Sequence, residues 1–338
     1  MMTDVLAGDV GGTKTLLCLY RASDGPSGET ILTEVHKALY PSSAYTDFAD
    51  LMAAFVDDVA PRRPAAACLG IAGAVQDRRC KATNLPWVID ADDLADAFAL
   101  DDVLLLNDLE AAAHGMLHLA ANEFVELNPN AVQKVGHSAV IAAGTGLGQA
   151  ILAWDGRQHV VLPTEGGHAD FAPNSVQEDA LLLYLRARFG GHVSNERILS
   201  GAGFGNLYDF LRTTGYAPPS AGIEEEMAAG DRNAVVSRHG LEGSDPLCTE
   251  AMRLFVRIYG REAGNLALRC LPRGGIFIGG GIGPKIREAL AEGEFMRGFL
   301  DKGRMTDSIR DIPLRLSLNP EAPLLGAAHM AVRISRRQ

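Results

Sequence analysis

Asn107 and Asp108 stand together at the end of an apolar run, residues 103–106. A carboxylate where a buried strand opens into a helix is placed where α/β proteins place catalytic groups. Asp108 could instead only cap the helix that follows, although capping leaves the neighbouring Asn107 without a reason. Glu165-Gly166-Gly167-His168 is a second candidate: an acid and an imidazole flank two glycines, so both side chains can converge on one small polar ligand. A lone histidine is more often an ordinary core or surface residue than a ligand, and the residues after His168 have no metal-ligand spacing. Glu196, within residues 194–201, reads on local grounds as a solvent-exposed helix residue.

Three glycine clusters accompany these side chains. Asp9-Val10-Gly11-Gly12-Thr13-Lys14 lies where an apolar run turns back on itself. Paired glycines let successive backbone N–H groups face one anion, Thr13 adds a hydroxyl donor and Lys14 a positive charge. Asp9 can hold hydrated Mg²⁺ beside phosphates. The loop lacks the Gly-Lys-Ser/Thr of a Walker A motif, and a plain β-hairpin turn accounts for it equally well. Gly144-Thr145-Gly146-Leu147-Gly148 follows the apolar residues 139–143 and suits close approach of a phosphate. Gly279-Gly280-Gly281-Ile282-Gly283-Pro284 links an apolar run to a helical one, where a flat group such as adenosine can lie against the chain. Three clusters, each after a buried strand, carry more weight than any one.

The elements that must position these residues follow from hydrophobic periodicity. Strands are expected at residues 5–10, 15–20, 65–71, 103–106, 138–143, 149–154, 276–278 and 314–318. Helices are expected at 47–59, 94–100, 109–119, 175–189, 249–271, 285–292 and 324–334. Ser175 and Glu178 have capping-box spacing. Residues 218–244 are polar and acidic, and read as a surface excursion around a short helix at 223–229. The pattern of strand, Gly/Thr turn and strand occurs at 5–20 and again at 139–154, which suggests two related α/β domains.

Composition narrows the classes of function. A net charge of −11 argues against a nucleic-acid or anionic-membrane surface. The five cysteines are scattered and never at C-x-x-C spacing, so neither a disulfide framework nor a zinc site is expected, and a reducing cytoplasm fits. The first residues do not read as a signal peptide, and no apolar run approaches the ~18 residues of a membrane-spanning helix.

Together, GDVGGTK (8–14), NDLEAAAHG (107–115), AAGTGLGQA (142–150), LPTEGGHADFAPNS (162–175), SNERILSGAG (194–203), GNLAL (264–268), IFIGGGIGPK (276–285) and PLLGAAH (323–329) resemble the bacterial glucokinase family, of the zinc-free proteobacterial type, within the actin/hexokinase/Hsp70 superfamily. They occur in family order along nearly the whole chain. The resemblance implies two actin-like (ribonuclease H-like) α/β domains with a cleft between them: a small one from residues 1–118 and 316–338, and a large one from 119–315. It implies phosphoryl transfer from ATP, with Mg²⁺, to the C6 hydroxyl of glucose, and a homodimer. By position it implies that Asp108 is the base and that Asn107, Glu165, His168 and Glu196 hydrogen-bond the sugar. Asp9, Gly11, Gly12 and Thr13 would form one phosphate loop, with Lys14 beside it. Gly144, Thr145 and Gly146 would form the other, and Gly280 and Gly281 would lie against adenosine.

Lys14 departs from the Asn that many proteobacterial members carry; Lys is usual in the related ROK sugar kinases, whose cysteine-rich zinc motif is absent here. Nothing in the residues fixes the epimer, so mannose, fructose or an amino sugar is an alternative substrate. A non-catalytic sugar-binding regulator on the same fold is a further alternative, disfavoured by the intact Asp108 and glycine loops.

Overall fold

The computed structural model describes residues 2–336 apart from Ser27 and Asn84. The chain forms two compact units. One combines the chain up to Ala121 with the segment from Asn319 onward, and the other is Asn122–Leu318.

The first unit is built on β1 (Thr3–Val10), β2 (Lys14–Asp24), β3 (Thr30–Pro41) and β4 (Ala66–Ile71), then a small sheet of β5 (Val75–Gln76), β6 (Arg79–Lys81) and β7 (Val88–Asp90), then β8 (Asp102–Asn107). Its main sheet runs β3-β2-β1-β4-β8. The first three strands are antiparallel, and β1, β4 and β8 are parallel. Every residue of β4 is buried, as expected of a strand covered on both faces. One face packs on helix Phe48–Val59, through Leu51, Met52 and Phe55. The other packs on helix Ala322–Ser335, through Leu324, Ala327, Ala328 and Ala331.

Helix Asp108–Met116 lies directly against that last helix. A Cβ on Gly115 would stand 1.8 Å from the carbonyl oxygen of Ala322, and one on Gly326 would stand 1.9 Å from that of Ala111. The two backbones touch only because both positions lack a side chain, and this contact sets the axis of the helix that begins at Asp108.

The second unit contains β9 (Phe124–Glu126), β10 (Ser138–Ala143), β11 (Leu147–Trp154), β12 (His159–Thr164), β13 (Gly275–Gly279) and β14 (Leu314–Ser317), in the order β12-β11-β10-β13-β14-β9. Its first five strands repeat the order and sense of the first unit's sheet, antiparallel, antiparallel, parallel, parallel. The repeat of strand, glycine turn and strand is thus a repeat of the whole ribonuclease H-like sheet. The core of this unit gathers on the 25-residue helix Pro246–Cys270, whose Phe255 and Tyr259 pack with Phe204 and Phe295.

Three expectations are corrected. Residues 218–244 are more than a surface excursion around the expected short helix: that helix, Ala221–Ala229, is joined by a second, Arg232–Glu242, and the two bury Ile223, Met227, Val235 and Val236. Ser175 caps its helix, but Glu178 does not close the box. Its carboxylate is buried, pairs with Arg261 and accepts the N–H of Asn174. Strand β3, which the periodicity misses, is an edge strand with no buried residue, so it carries no apolar signal.

No helix among the described residues is long and apolar enough to cross a membrane.

Candidate active site

In the first unit, the parallel strands β1, β4 and β8 bring their C-terminal ends to one edge. Asp9 of β1 stands beside Gly70 of β4, and Ile71 of β4 beside Asn107 of β8. Asn107 is the helix N-cap: its Oδ1 accepts the N–H of Leu109 at 2.9 Å. Its Nδ2 donates to the carbonyl of Gly73 at 3.0 Å. Capping therefore falls mainly to Asn107, which supplies the reason for an Asn at this position. Asp108 becomes the first residue of the helix, and its carboxylate also accepts the N–H of Leu109 at 2.8 Å.

Asp108 is open to solvent on one side, yet the surrounding protein raises its pKa by desolvation, against the lowering effect of the Leu109 N–H. Asp9 is raised to about 6, first by burial and then by the negative charge of Asp108. These two carboxylates therefore share one electrostatic environment. Among the described residues, no side chain hydrogen-bonds Asp9.

The turn after Asp9 is held by a residue that the motifs do not reveal. Ser42 is fully buried at the end of β3. Its Oγ donates to the carbonyl of Gly11 at 2.8 Å, and its N–H donates to that of Thr13 at 3.0 Å. A second hydroxyl, Thr15 Oγ1, lies 3.0 Å from Ser42 Oγ. With these carbonyls tied inward, the loop is fixed while Gly11 and Gly12 are partly accessible and Thr13 and Lys14 are exposed. Only a buried serine 31 residues from Gly11 in sequence signals this clamp, and sequence gives no register for it.

In the second unit, the other two glycine clusters meet. Gly144 N–H donates to Gly146, and its carbonyl accepts the N–H of Gly201, the first residue of helix Gly201–Thr213. Gly280 has φ +81°, and a Cβ there would stand 2.2 Å from the carbonyl oxygen of Ala143. The backbone of the third cluster therefore lies on the strand that leads into the second. Gly281 differs: a Cβ there would meet nothing within 4 Å. Thr145 is exposed at the tip of its loop.

Glu165 and His168 bracket the short turn Gly166–His168, with Glu165 Oε2 4.0 Å from His168 Nε2 and both side chains open. The two side chains therefore lie on the same side of the turn, close to one another. The two glycines between them are seated on β11: a Cβ on Gly167 would stand 1.8 Å from the carbonyl oxygen of Leu147, and one on Gly166 would stand 2.5 Å from Gln149 Oε1.

Glu196 corrects the reading of an exposed helix residue. It is half-buried in the turn Asn195–Arg197, and its Oε2 accepts the N–H of Leu147 at 2.9 Å. A Cβ on Gly146 would stand 2.5 Å from the same oxygen. A distant acid is thus tied to the glycine loop, a contact that local sequence cannot register.

A family model for glucokinase matches residues 6–334. The glucokinase of Synechocystis sp. is 39% identical over 98% of this chain and 99% of its own length. That of Trichormus variabilis is 38% identical over 98% and 100%. The crystal structure of a glucokinase from an Antarctic psychrotroph superposes with a TM-score of 0.86 at 28% identity, covering 98% of this chain and all of that one. With the matched model spanning nearly the whole sequence, the chain belongs to the glucokinase family.

Proposed function

We propose that Asp108 is the base in the ATP-dependent phosphorylation of glucose that this chain carries out. The observation that carries this assignment is the place of Asp108 at the C-terminal edge of the first unit's sheet, first in its helix and electrostatically joined to Asp9. The C6 hydroxyl of the sugar donates to the Asp108 carboxylate. As the bond from O6 to the γ-phosphorus forms, the bond from that phosphorus to the bridging oxygen of ADP breaks. The hydroxyl proton passes to Asp108, and the electron pair leaves on ADP. The raised pKa of Asp108 makes it a better proton acceptor than an ordinary carboxylate.

The remaining roles are assigned as follows. The free N–H of Asn107 Nδ2 and the carboxylates and imidazole of Glu165, Glu196 and His168 hydrogen-bond the sugar hydroxyls. Gly11, Gly12 and Thr13 offer N–H and hydroxyl donors to phosphate, and Lys14 adds a charge beside them. Gly144, Thr145 and Gly146 form the second phosphate loop. Gly280 and Gly281 lie along adenosine, and the open space at Gly281 supports this.

Asp9 suits a divalent cation. Its carboxylate is half-buried, has no side-chain partner among the described residues and is raised by the charge of Asp108, so a positive charge there relieves both penalties. No cluster of three or more acidic, histidine or cysteine side chains is arranged to hold a metal among the described residues. Asp9 would therefore hold Mg²⁺ that has phosphate oxygens and water as its other ligands. When bound, Mg²⁺ neutralises charge on the phosphates.

We further read the protein as a cytoplasmic homodimer. Five unpaired cysteines support a reducing compartment, and family resemblance supports the dimer. Sedimentation of the purified protein tests the second point.

Asp108→Asn tests the central assignment. The variant should melt no lower than wild type, since the raised pKa of Asp108 means its charge costs stability, and should keep its glucose affinity while kcat falls by ~10²–10⁴, the usual worth of a positioned base. A variant within a few-fold of wild type in kcat would remove Asp108 from this role.

A further inference from the structure

Beneath the segment that carries Glu165 and His168 lies a buried polar network with no part in the chemistry above. Gln149 of β11 is 1% exposed, and its Nε2 donates to Glu262 Oε1 at 2.9 Å. Glu262, 2% exposed, comes from the helix Pro246–Cys270. Arg269 Nη1 donates to the same Oε1 at 2.9 Å, and Asn265 Nδ2 donates to Oε2 at 2.9 Å. Lys302 Nζ in turn donates to Asn265 Oδ1 at 2.7 Å. Every donor and acceptor in this chain has a fixed direction, so the carboxamide of Gln149 has one orientation.

That orientation is transmitted upward. Gly166 rests on Gln149 Oε1, where even a methyl group would collide. Thr164 Oγ1 donates to the main-chain carbonyl of Gln149 at 2.9 Å, and Gly166 N–H donates to Thr164 Oγ1 at 3.2 Å. The turn between Glu165 and His168 is therefore seated on the Gln149 side chain and the Gln149 carbonyl. A buried charged network is a poor way to gain stability, because well-packed apolar side chains in its place are often neutral or better. Its one property that an apolar patch lacks is a unique geometry.

We propose that Gln149, oriented by Glu262 and Arg269, is a positioning residue that fixes the spacing of Glu165 and His168 and so sets how sharply the enzyme discriminates among hexoses. This rests on the assignment of Glu165 and His168 to the sugar. A site built to pair with particular hydroxyls rejects an epimer only while its polar groups are held in place. Loosening the Gln149 carboxamide lets the turn shift, and both side chains then meet glucose and its epimers with similar imprecision.

The test uses three variants of the full-length enzyme, Q149M, E262Q and E165Q, assayed with glucose, mannose and ATP. Q149M removes the carboxamide at similar length, and E262Q keeps shape while removing the charge that Arg269 pairs with. Both should raise KM for glucose about tenfold, the scale of one net hydrogen bond, with KM for ATP within about twofold. The ratio of kcat/KM for glucose to that for mannose should fall. If Q149M does not fold, E262Q alone carries the test. Equal rises in both KM values, or an unchanged glucose-to-mannose ratio in a folded variant, would overturn the proposal. E165Q separates the premise: if it leaves KM for glucose unchanged, the sugar assignment itself fails. If it raises that KM while Q149M and E262Q do not, only the positioning role fails.

Discussion

The carboxylate of Glu196 accepts the backbone N–H of Leu147 at 2.9 Å, and the same oxygen occupies the space where Gly146 would carry a side chain. A residue assigned to the sugar and a loop assigned to phosphate are therefore in direct contact within one unit. Gly146→Ala should push the Glu196 carboxylate aside, because the obstructing atom is the end of a flexible side chain. We expect KM for glucose to rise several-fold along with KM for ATP. Initial rates with each substrate varied in turn check this; an effect on ATP alone would show that the contact transmits nothing.

Gly280 and Gly281 should separate a structural glycine from a ligand-facing one. Gly280→Ala faces a positive φ and a carbonyl oxygen 2.2 Å from the new Cβ, so it should lose stability by about 1 kcal/mol or more. Gly281→Ala meets nothing in the protein and should melt as wild type does, while KM for ATP rises. Thermal melts paired with ATP kinetics distinguish the two.

Asp9 predicts a pH dependence with two signs. Its folded pKa, about 6, lies above its ordinary value of 3.8, so the folded state holds the proton more tightly than the unfolded chain. The group's cost to stability is absent below pH 3.8 and complete above about 6. Asp9→Asn should therefore melt higher than wild type at pH 7.5, and the difference should vanish near pH 4. Function runs the other way. If Asp9 must be ionised to hold Mg²⁺, kcat/KM for ATP should fall as the pH drops through about 6. Melting curves over pH 3.5–8 and rates over pH 5–8 test both.

Ser42→Ala removes the hydroxyl that ties down Gly11. The buried Thr15 hydroxyl loses the same neighbour. A loss of about 1 kcal/mol in stability is expected, with KM for ATP raised and KM for glucose unchanged. Equal changes in both constants would mark Ser42 as a general structural residue instead.

Most strands and helices with a buried face could be read directly, though the helix Gly201–Thr213, buried over much of its length, was not. The apolar run 138–143 coincides with β10, and 66–71 is buried throughout, because such a run has only one place to go. Elements without that signal were lost. Strand β3 lies at a sheet edge with no buried residue, and the helix at 232–242 buries only a few positions among charged neighbours. At the site, neighbourhoods were legible where a group and its partner are close in sequence: Asp108 with Asn107, and Glu165 with His168 across two glycines.

The reasons for these residues were legible only in part. Asn107 takes the cap, and this follows from the backbone conformation at the end of β8 rather than from its identity. The partners of Glu196, Ser42 and Gln149 lie 49, 31 and 113 residues away in hydrogen bonds whose existence depends on strand register and helix placement. Local chemistry is written in the order of residues, since glycine, carboxylate and hydroxyl keep their properties wherever they fall. Distance and direction between remote groups are not, since they arise when whole sheets pair and helices pack. Local sequence therefore marked Asp108 as a catalytic position, and its motif resemblance made it a candidate base; folding is what joins it electrostatically to Asp9 and raises the pKa of both.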